Sequence, residues 1–227
     1  MRHPAFSPVF GPADAGIRAA ARAGTSGELR LPAPGGPVRV LLETARVEPP
    51  HTVAEQHRAG RRAAGAALRR AGSAVTTVGR RADGAPAFPP GFAGSLTHTP
   101  DLALAAVAPD ARGIGVDVEP RLPDARLHRF LLDDAERALL WPDRDRSALR
   151  TLFAAKEAAF KALSECHPAH GGLFWRIRLR PHADRLWARA GDRYALVHHS
   201  DTPGFTLAVA VRLDDPPPEA VRRAHTP

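Results

Sequence analysis

Gly113-Ile-Gly-Val-Asp117-Val-Glu119, closed by Pro120, is the stretch from which the rest of the chain can be read. In an extended strand successive side chains point to opposite faces. Ile114, Val116 and Val118 therefore share one face and can pack a core, while Asp117 and Glu119 share the other. Two carboxylates on one strand face repel unless a positive charge lies between them. A hard divalent cation serves that purpose, and magnesium favours one or two carboxylates together with phosphate oxygens. An amphipathic strand with a wet acidic face satisfies the same pattern, so the strand by itself leaves both readings open.

Downstream lies Leu152-Phe-Ala-Ala-Lys156-Glu157-Ala-Ala-Phe160-Lys161-Ala-Leu163, within a helix predicted over Ser147–Ser164. At 100° per residue, Leu152, Phe153, Ala159, Phe160 and Leu163 fall on one arc. Lys156 falls inside it. A lysine in an apolar face is paired or snorkels, so Lys156 is expected to reach an anion at the edge of the core. Glu157 and Lys161 lie just beyond the arc, at the spacing of an i,i+4 ion pair. Upstream, Ser95-Leu-Thr-His98-Thr precedes the apolar run Leu102–Ala108, which suits a buried strand. A histidine there can bind phosphate or carry a proton, or be structural.

A helix over residues 53–71, stopped by Gly72, carries Arg58, Arg61, Arg62, Arg69 and Arg70, with Arg80 and Arg81 following. Arginine suits bidentate phosphate binding and equally suits a solvated helix face. Strands are expected at Val38–Leu42, Val75–Val78, Trp175–Leu179, Tyr194–His198 and Phe205–Leu213. Asp133 and Glu136 have capping-box spacing for a short helix. Residues 1–50 otherwise read as irregular, and the tail from Pro216 as frayed.

His98-Thr-Pro-Asp-Leu-Ala-Leu-Ala-Ala-Val resembles Asp201-Thr-Pro-Gly-Phe-Thr-Leu-Ala-Val-Ala. Each segment closes one half of the chain and follows a helix. An α+β architecture of two pseudo-duplicated halves, 1–110 and 111–227, is therefore expected, with a ligand cleft between them.

The 227 residues and 44% apolar content suit such a pair of cores. Net charge is +8 without any run of five basic residues, which favours an anionic partner over a nucleic-acid tract. Aromatic content of 6% argues against an RNA-binding module. The single cysteine, Cys166, excludes an internal disulfide and a thiolate metal site. Met1–Phe10 lack the apolar core of a signal peptide, and no membrane span is expected. Cytoplasmic location follows as an expectation.

Taken together the motifs resemble the paired signature of 4′-phosphopantetheinyl transferases: GVDVE, then FAAKEAAFK about 35 residues later. The segment FPPGFAGSLTHT, 88–99, is similar to the W-P-x-G-x-x-G-S-[IL]-[ST]-H segment of that family. GRRAAGAAL, 60–68, is similar to the G-R-x-A-A helix of its siderophore and secondary-metabolism branch. Phe153 stands where the family often has Trp, and Ala54–Arg58 replaces its Arg-x-x-Glu-Phe stretch.

The resemblance implies two similar α/β halves binding coenzyme A between them. It implies Asp117, Glu119 and Glu157 as magnesium ligands against the coenzyme A pyrophosphate, and Lys156 and Lys161 on phosphate oxygens. His98 would bind the diphosphate, and Arg61 and Arg80 the 3′-phosphate or nearby diphosphate. Glu157, Lys161 and His98 are the catalytic candidates. The implied reaction moves phosphopantetheine to a serine of an acidic acyl or peptidyl carrier protein, in a monomeric enzyme. A magnesium-dependent phosphatase or nucleotidyl transferase uses the same carboxylates and lysines, but leaves the histidine segment and arginine helix unexplained.

Overall fold

The computed structural model of the protein describes residues 26–164, 173–182 and 185–213. The stretch expected to lack a leader, Cys166 and the tail from Pro216 lie outside them. The first part runs β1 (Ser26–Leu31), β2 (Val38–Arg46), α1 (Val53–Arg70), β3 (Gly79–Arg80), β4 (Pro86–Ala87), β5 (Phe92–His98) and β6 (Leu102–Pro109). The second runs β7 (Ile114–Glu119), a 3-10 turn at Ala125–Leu127, α2 (His128–Leu131), α3 (Asp134–Leu140), α4 (Arg146–Ser164), α5 (Leu173–Arg176), β8 (Arg178–His182), β9 (Arg185–Ala190), β10 (Arg193–Asp201) and β11 (Thr206–Leu213). The expected mixed α/β class is what the structure has.

Two antiparallel sheets carry the fold, in the orders β1-β2-β6-β5 and β7-β11-β10-β9-β8, with β3-β4 a separate ribbon. β6 and β11, the two strands whose sequences resemble each other, each lie one place in from an edge strand. Alternation decides the layers. Leu104 and Ala106 of β6 join Leu29, Leu31, Val40 and Leu42 against Ile114, Val116, Val209 and Val211. Ala105 and Val107 face Ala63, Ala64, Ala67 and Leu68 of α1. On the far side Ala208 and Ala210 pack under Ala154, Ala155, Ala158 and Ala162 of α4. The layers are thus helix, sheet, sheet, helix, and β6 is buried on both faces, as its apolar run demanded.

α1 starts at Thr52, whose hydroxyl accepts the Glu55 N–H, and stops where Gly72 turns at φ +84°. The capping box at Asp133 and Glu136 is formed. Three local expectations are corrected. Val75–Val78 is not a strand; the ribbon begins only at Gly79. Residues 26–31 are a strand, β1, whose alternation of exposed Glu28 and Arg30 with buried Leu29 and Leu31 is too short and too flanked by Pro and Gly to stand out. Trp175 lies in a short helix turn, Leu173–Arg176, and β8 starts only at Arg178. No helix among the described residues is long and apolar enough to cross a membrane.

Candidate active site

β7 is an edge strand, and its free edge meets the other sheet. The outward amides of Val116 and Val118 donate to Ser95 Oγ (3.0 Å) and Thr97 Oγ1 (3.4 Å) of β5. Two hydroxyls at i and i+2 therefore stitch the two sheets together, which satisfies backbone donors that a buried edge leaves open. On the other side α4 lies almost in contact with the β7 backbone. A Cβ on Gly115 would sit 1.8 Å from the Ala158 carbonyl oxygen, and one on Gly113 2.6 Å from that of Ala162. Glycine at these two positions is what lets α4 descend onto the carboxylate face of β7.

That descent brings Lys161 to Asp117. Its Nζ donates to the Val116 carbonyl (2.9 Å) and to Asp117 Oδ1 (2.7 Å). Thr97 Oγ1 donates to the same carboxylate oxygen at 3.1 Å. The expected Glu157–Lys161 ion pair is not made: Lys161 turns to Asp117, the more buried carboxylate. Glu119 and Glu157 lie close enough to act on each other. Burial pushes the Glu119 carboxyl up to about 7, with Asp117 and Glu157 adding to it and Lys161 and Arg150 opposing. Burial also raises Glu157, against Lys161 and with Asp117.

The other oxygen of Asp117, Oδ2, is buried without a hydrogen-bond partner among the described residues. A buried, unpaired carboxylate oxygen is costly, and a cation relieves it. The donor set, three carboxylates and no soft ligand, is the chemistry of a hard divalent ion. Among the described residues no three such side chains already converge at metal-binding geometry. The carboxylates are neighbours in charge rather than a closed cage.

His98, at the end of β5, is exposed. The surrounding protein lowers its pKa by partial desolvation, with Lys161 and His57 repelling the proton further and Asp117 opposing them. His98 thus belongs to the Lys161–Asp117 neighbourhood. Lys156 does not. It is 1% exposed, and its Nζ donates to Glu136 Oε2 (2.8 Å) and the Leu131 carbonyl (2.6 Å). The apolar arc did require an anion for Lys156, but that anion is Glu136. This corrects the phosphate contact expected of Lys156: its ammonium is buried and two of its three donors are bonded inside the core. Burial lowers the Lys156 pKa and Glu136 opposes the shift. Glu136 also accepts the Leu179 N–H (2.6 Å) and caps α3 through the Asp133 N–H (2.9 Å). It ties α3, α4 and β8 together.

A cavity of about 360 Å³ opens at Lys161, lined also by Arg81, Asp83, Ser95, Leu96, Phe160 and Ser164, and by none of Asp117, Glu119, Glu157 or His98. β5 of the first sheet, the β3–β4 ribbon and α4 contribute to it, and Lys161 belongs both to its wall and to the Asp117 contact. Arg81 reaches it and pairs with Asp83 at 3.4 Å. Arg80, the arginine singled out from the sequence, does not line it and donates to the Gly84 carbonyl (3.2 Å). Arg61 is exposed on α1, and Arg58 is held by Glu55 (2.9 Å). Sequence reasoning missed Ser95 and Thr97 as the seam, Arg81 as the cavity arginine and Glu136 as the partner of Lys156. The hydroxyl pair in SLTH was the available signal for the first.

The two halves match two family models. One describes the 4′-phosphopantetheinyl transferase N-terminal domain and covers residues 52–108. The other describes the 4′-phosphopantetheinyl transferase superfamily and covers residues 113–201. The chain is 39% identical over 100 residues to the 4′-phosphopantetheinyl transferase Npt of Nocardia iowensis, covering 42% of this chain and 45% of that one. It is 42% identical over 91 residues to the 4′-phosphopantetheinyl transferase Svp of Streptomyces mobaraensis, covering 37% and 36%. It is 34% identical over 116 residues to enterobactin synthase component D of Salmonella typhi, covering 48% of each. The matched stretches span less than half the length of these relatives. With one model on the arginine-helix half and the other on the carboxylate half, the chain belongs to the 4′-phosphopantetheinyl transferase superfamily.

Proposed function

We propose that the protein transfers the phosphopantetheine arm of coenzyme A to a serine of an apo acyl or peptidyl carrier protein, with magnesium held by Asp117, Glu119 and Glu157. The observation that carries this reading is the buried Asp117 Oδ2, without a hydrogen-bond partner among the described residues, on a carboxylate whose other oxygen is held by Lys161 of the cavity wall. In the reaction the serine oxygen bonds to the β-phosphorus of coenzyme A and the diphosphate bridge breaks. Adenosine 3′,5′-bisphosphate leaves, and the serine proton passes to a base.

Lys161 reaches from the cavity wall to the carboxylates, and offsets charge on the transferring group. Glu157, raised by burial and without a hydrogen-bond or ion-pair partner among the described residues, is the first choice of base, with His98 second. His98 is also assigned to the diphosphate, and its place in the Lys161–Asp117 neighbourhood supports this. Bound magnesium would supply a hard double charge that neutralises diphosphate oxygens. Arg81 joins Arg61 and Arg80 as a candidate for the nucleotide phosphates. A basic surface of net +8 suits an acidic carrier. Monomeric state, cytoplasmic location and the origin of the two halves by duplication belong to the same reading, as does a siderophore, nonribosomal peptide or polyketide pathway.

Release of adenosine 3′,5′-bisphosphate, measured with and without apo-carrier, separates transfer from hydrolysis. Release is expected only with carrier, and Asp117→Asn is expected to lower it by at least about a hundredfold. Equal release without carrier would make the protein a hydrolase.

The raised Glu119 gives a second test. Between about 4.5 and 7 the folded, cation-free protein holds a proton at Glu119 that the unfolded chain releases. Its stability therefore falls as pH rises through that window. A divalent cation requires Glu119 ionised, so binding should release a proton near pH 7 and weaken as pH falls below it. Calorimetry in buffers of different ionisation enthalpy measures that proton; a proton count of zero at pH 6.5 counts against Glu119 as a ligand.

A further inference from the structure

Arg150 of α4 is 2% exposed, yet among the described residues no carboxylate pairs with it directly. A buried guanidinium without a counter-ion is expensive. Its Nε donates to Thr206 Oγ1 (3.0 Å) and its Nη2 to the Thr202 carbonyl (2.7 Å). The Thr206 hydroxyl in turn donates to Asp201 Oδ1. Arg150 and Asp201 are thus an ion pair bridged by one hydroxyl. Thr151 Oγ1 donates to Asp201 Oδ1 as well (2.6 Å), and His199 Nδ1 lies 3.0 Å from Oδ2. Burial alone would raise the Asp201 carboxyl, but the hydrogen bonds from His199, Thr151 and Thr206 outweigh it and keep it below the usual range.

This assembly lies behind Glu119. Thr206 is the direct partner of Glu119 across the β7–β11 pair, so the two side chains share a face a few ångströms apart. Residues 150, 157 and 161 recur at helical spacing along α4. Lys161 stands at the Asp117 end of the carboxylate row and Arg150 at the Glu119 end, and both cations act on Glu119.

We propose that Arg150 is a positioning residue of the site: a fixed counter-charge, held by the Thr206–Asp201 bridge, that anchors the outer end of the carboxylate row and limits how tightly the row binds a divalent cation. The proposal rests on the metal assignment above. Magnesium binding by the full chain, without coenzyme A or carrier, is measured by calorimetry, with melting temperature recorded beside it. Arg150→Gln removes the charge and is expected to tighten magnesium binding roughly tenfold. Arg150→Lys places an ammonium at the same end of the row and, while it stays charged, is expected to stay within about twofold of the parent. Asp201→Asn removes the balancing negative charge and is expected to weaken binding several-fold, the opposite sign.

An anchor with a merely structural role would lower the melting temperature in all three and leave affinity equal or weaker. A folded Arg150→Gln protein with unchanged or weaker affinity overturns the proposal. So does an Arg150→Lys protein that behaves like Arg150→Gln, and so does a parent protein that binds no divalent cation. Should Arg150→Gln not fold, unchanged affinity in Asp201→Asn overturns it by itself. If the parent binds magnesium but modifies no carrier, the transfer reading fails and the role of Arg150 stands on its affinity data.

Discussion

Gly115→Ala is expected to cost the protein about 3 kcal/mol or more, enough to threaten folding of the carboxylate half. The added methyl would meet the Ala158 carbonyl oxygen at 1.8 Å, and the Ala158 carbon and Ala162 nitrogen at 2.8 Å. All three are helix backbone, which cannot swing aside as a side chain can. Either α4 lifts from β7 or β7 bends away from Ser95 and Thr97. Lifting α4 withdraws Lys161 from Asp117, so whatever fraction folds should also lose activity. Gly35→Ala, where nothing lies within 4 Å, is the control and should be close to neutral. Urea unfolding followed by circular dichroism measures both. A Gly115→Ala protein within about 1 kcal/mol of the parent would mean that the close approach of α4 is not a constraint.

Lys156→Met is expected to cost roughly 3–5 kcal/mol, because it strands the Glu136 carboxylate inside the core. Glu136 would keep the amides of Leu179 and Asp133 but lose the cation paired with it among the described residues. Adding Glu136→Gln should recover part of the loss, since the stranded charge goes with it. Measured at low temperature on the folded fraction, the KM for coenzyme A should be unchanged. A stable Lys156→Met protein with a raised KM would return Lys156 to the phosphates and contradict its placement here.

These two cases also show what the sequence made legible. The alternation of residues 113–119 gave the two faces of β7 correctly, because period two follows from strand geometry whatever lies around it. The i,i+4 reading of Glu157 and Lys161 failed because a neighbouring strand offers Lys161 a better partner, and helix spacing does not reveal neighbours. For Lys156, the helix arc marked a buried cation but could not say which anion meets it. Glu136 had been visible only as a cap for its own helix. β1 escaped because Glu28 and Arg30 alternate with only two leucines, and β9 because its apolar run Leu186–Ala188 is short and bounded by Arg185 and Arg189. Arg150 escaped because arginine is common in this chain, and only burial separates it from the solvated ones.

The most direct test of the transferase reading is intact-mass measurement of a panel of apo-carrier proteins incubated with this protein, coenzyme A and magnesium. One phosphopantetheine unit should appear on at least one carrier serine, and chelator or Asp117→Asn should abolish it. Coenzyme A binding with no mass gain on any acidic carrier, magnesium being present, would contradict it.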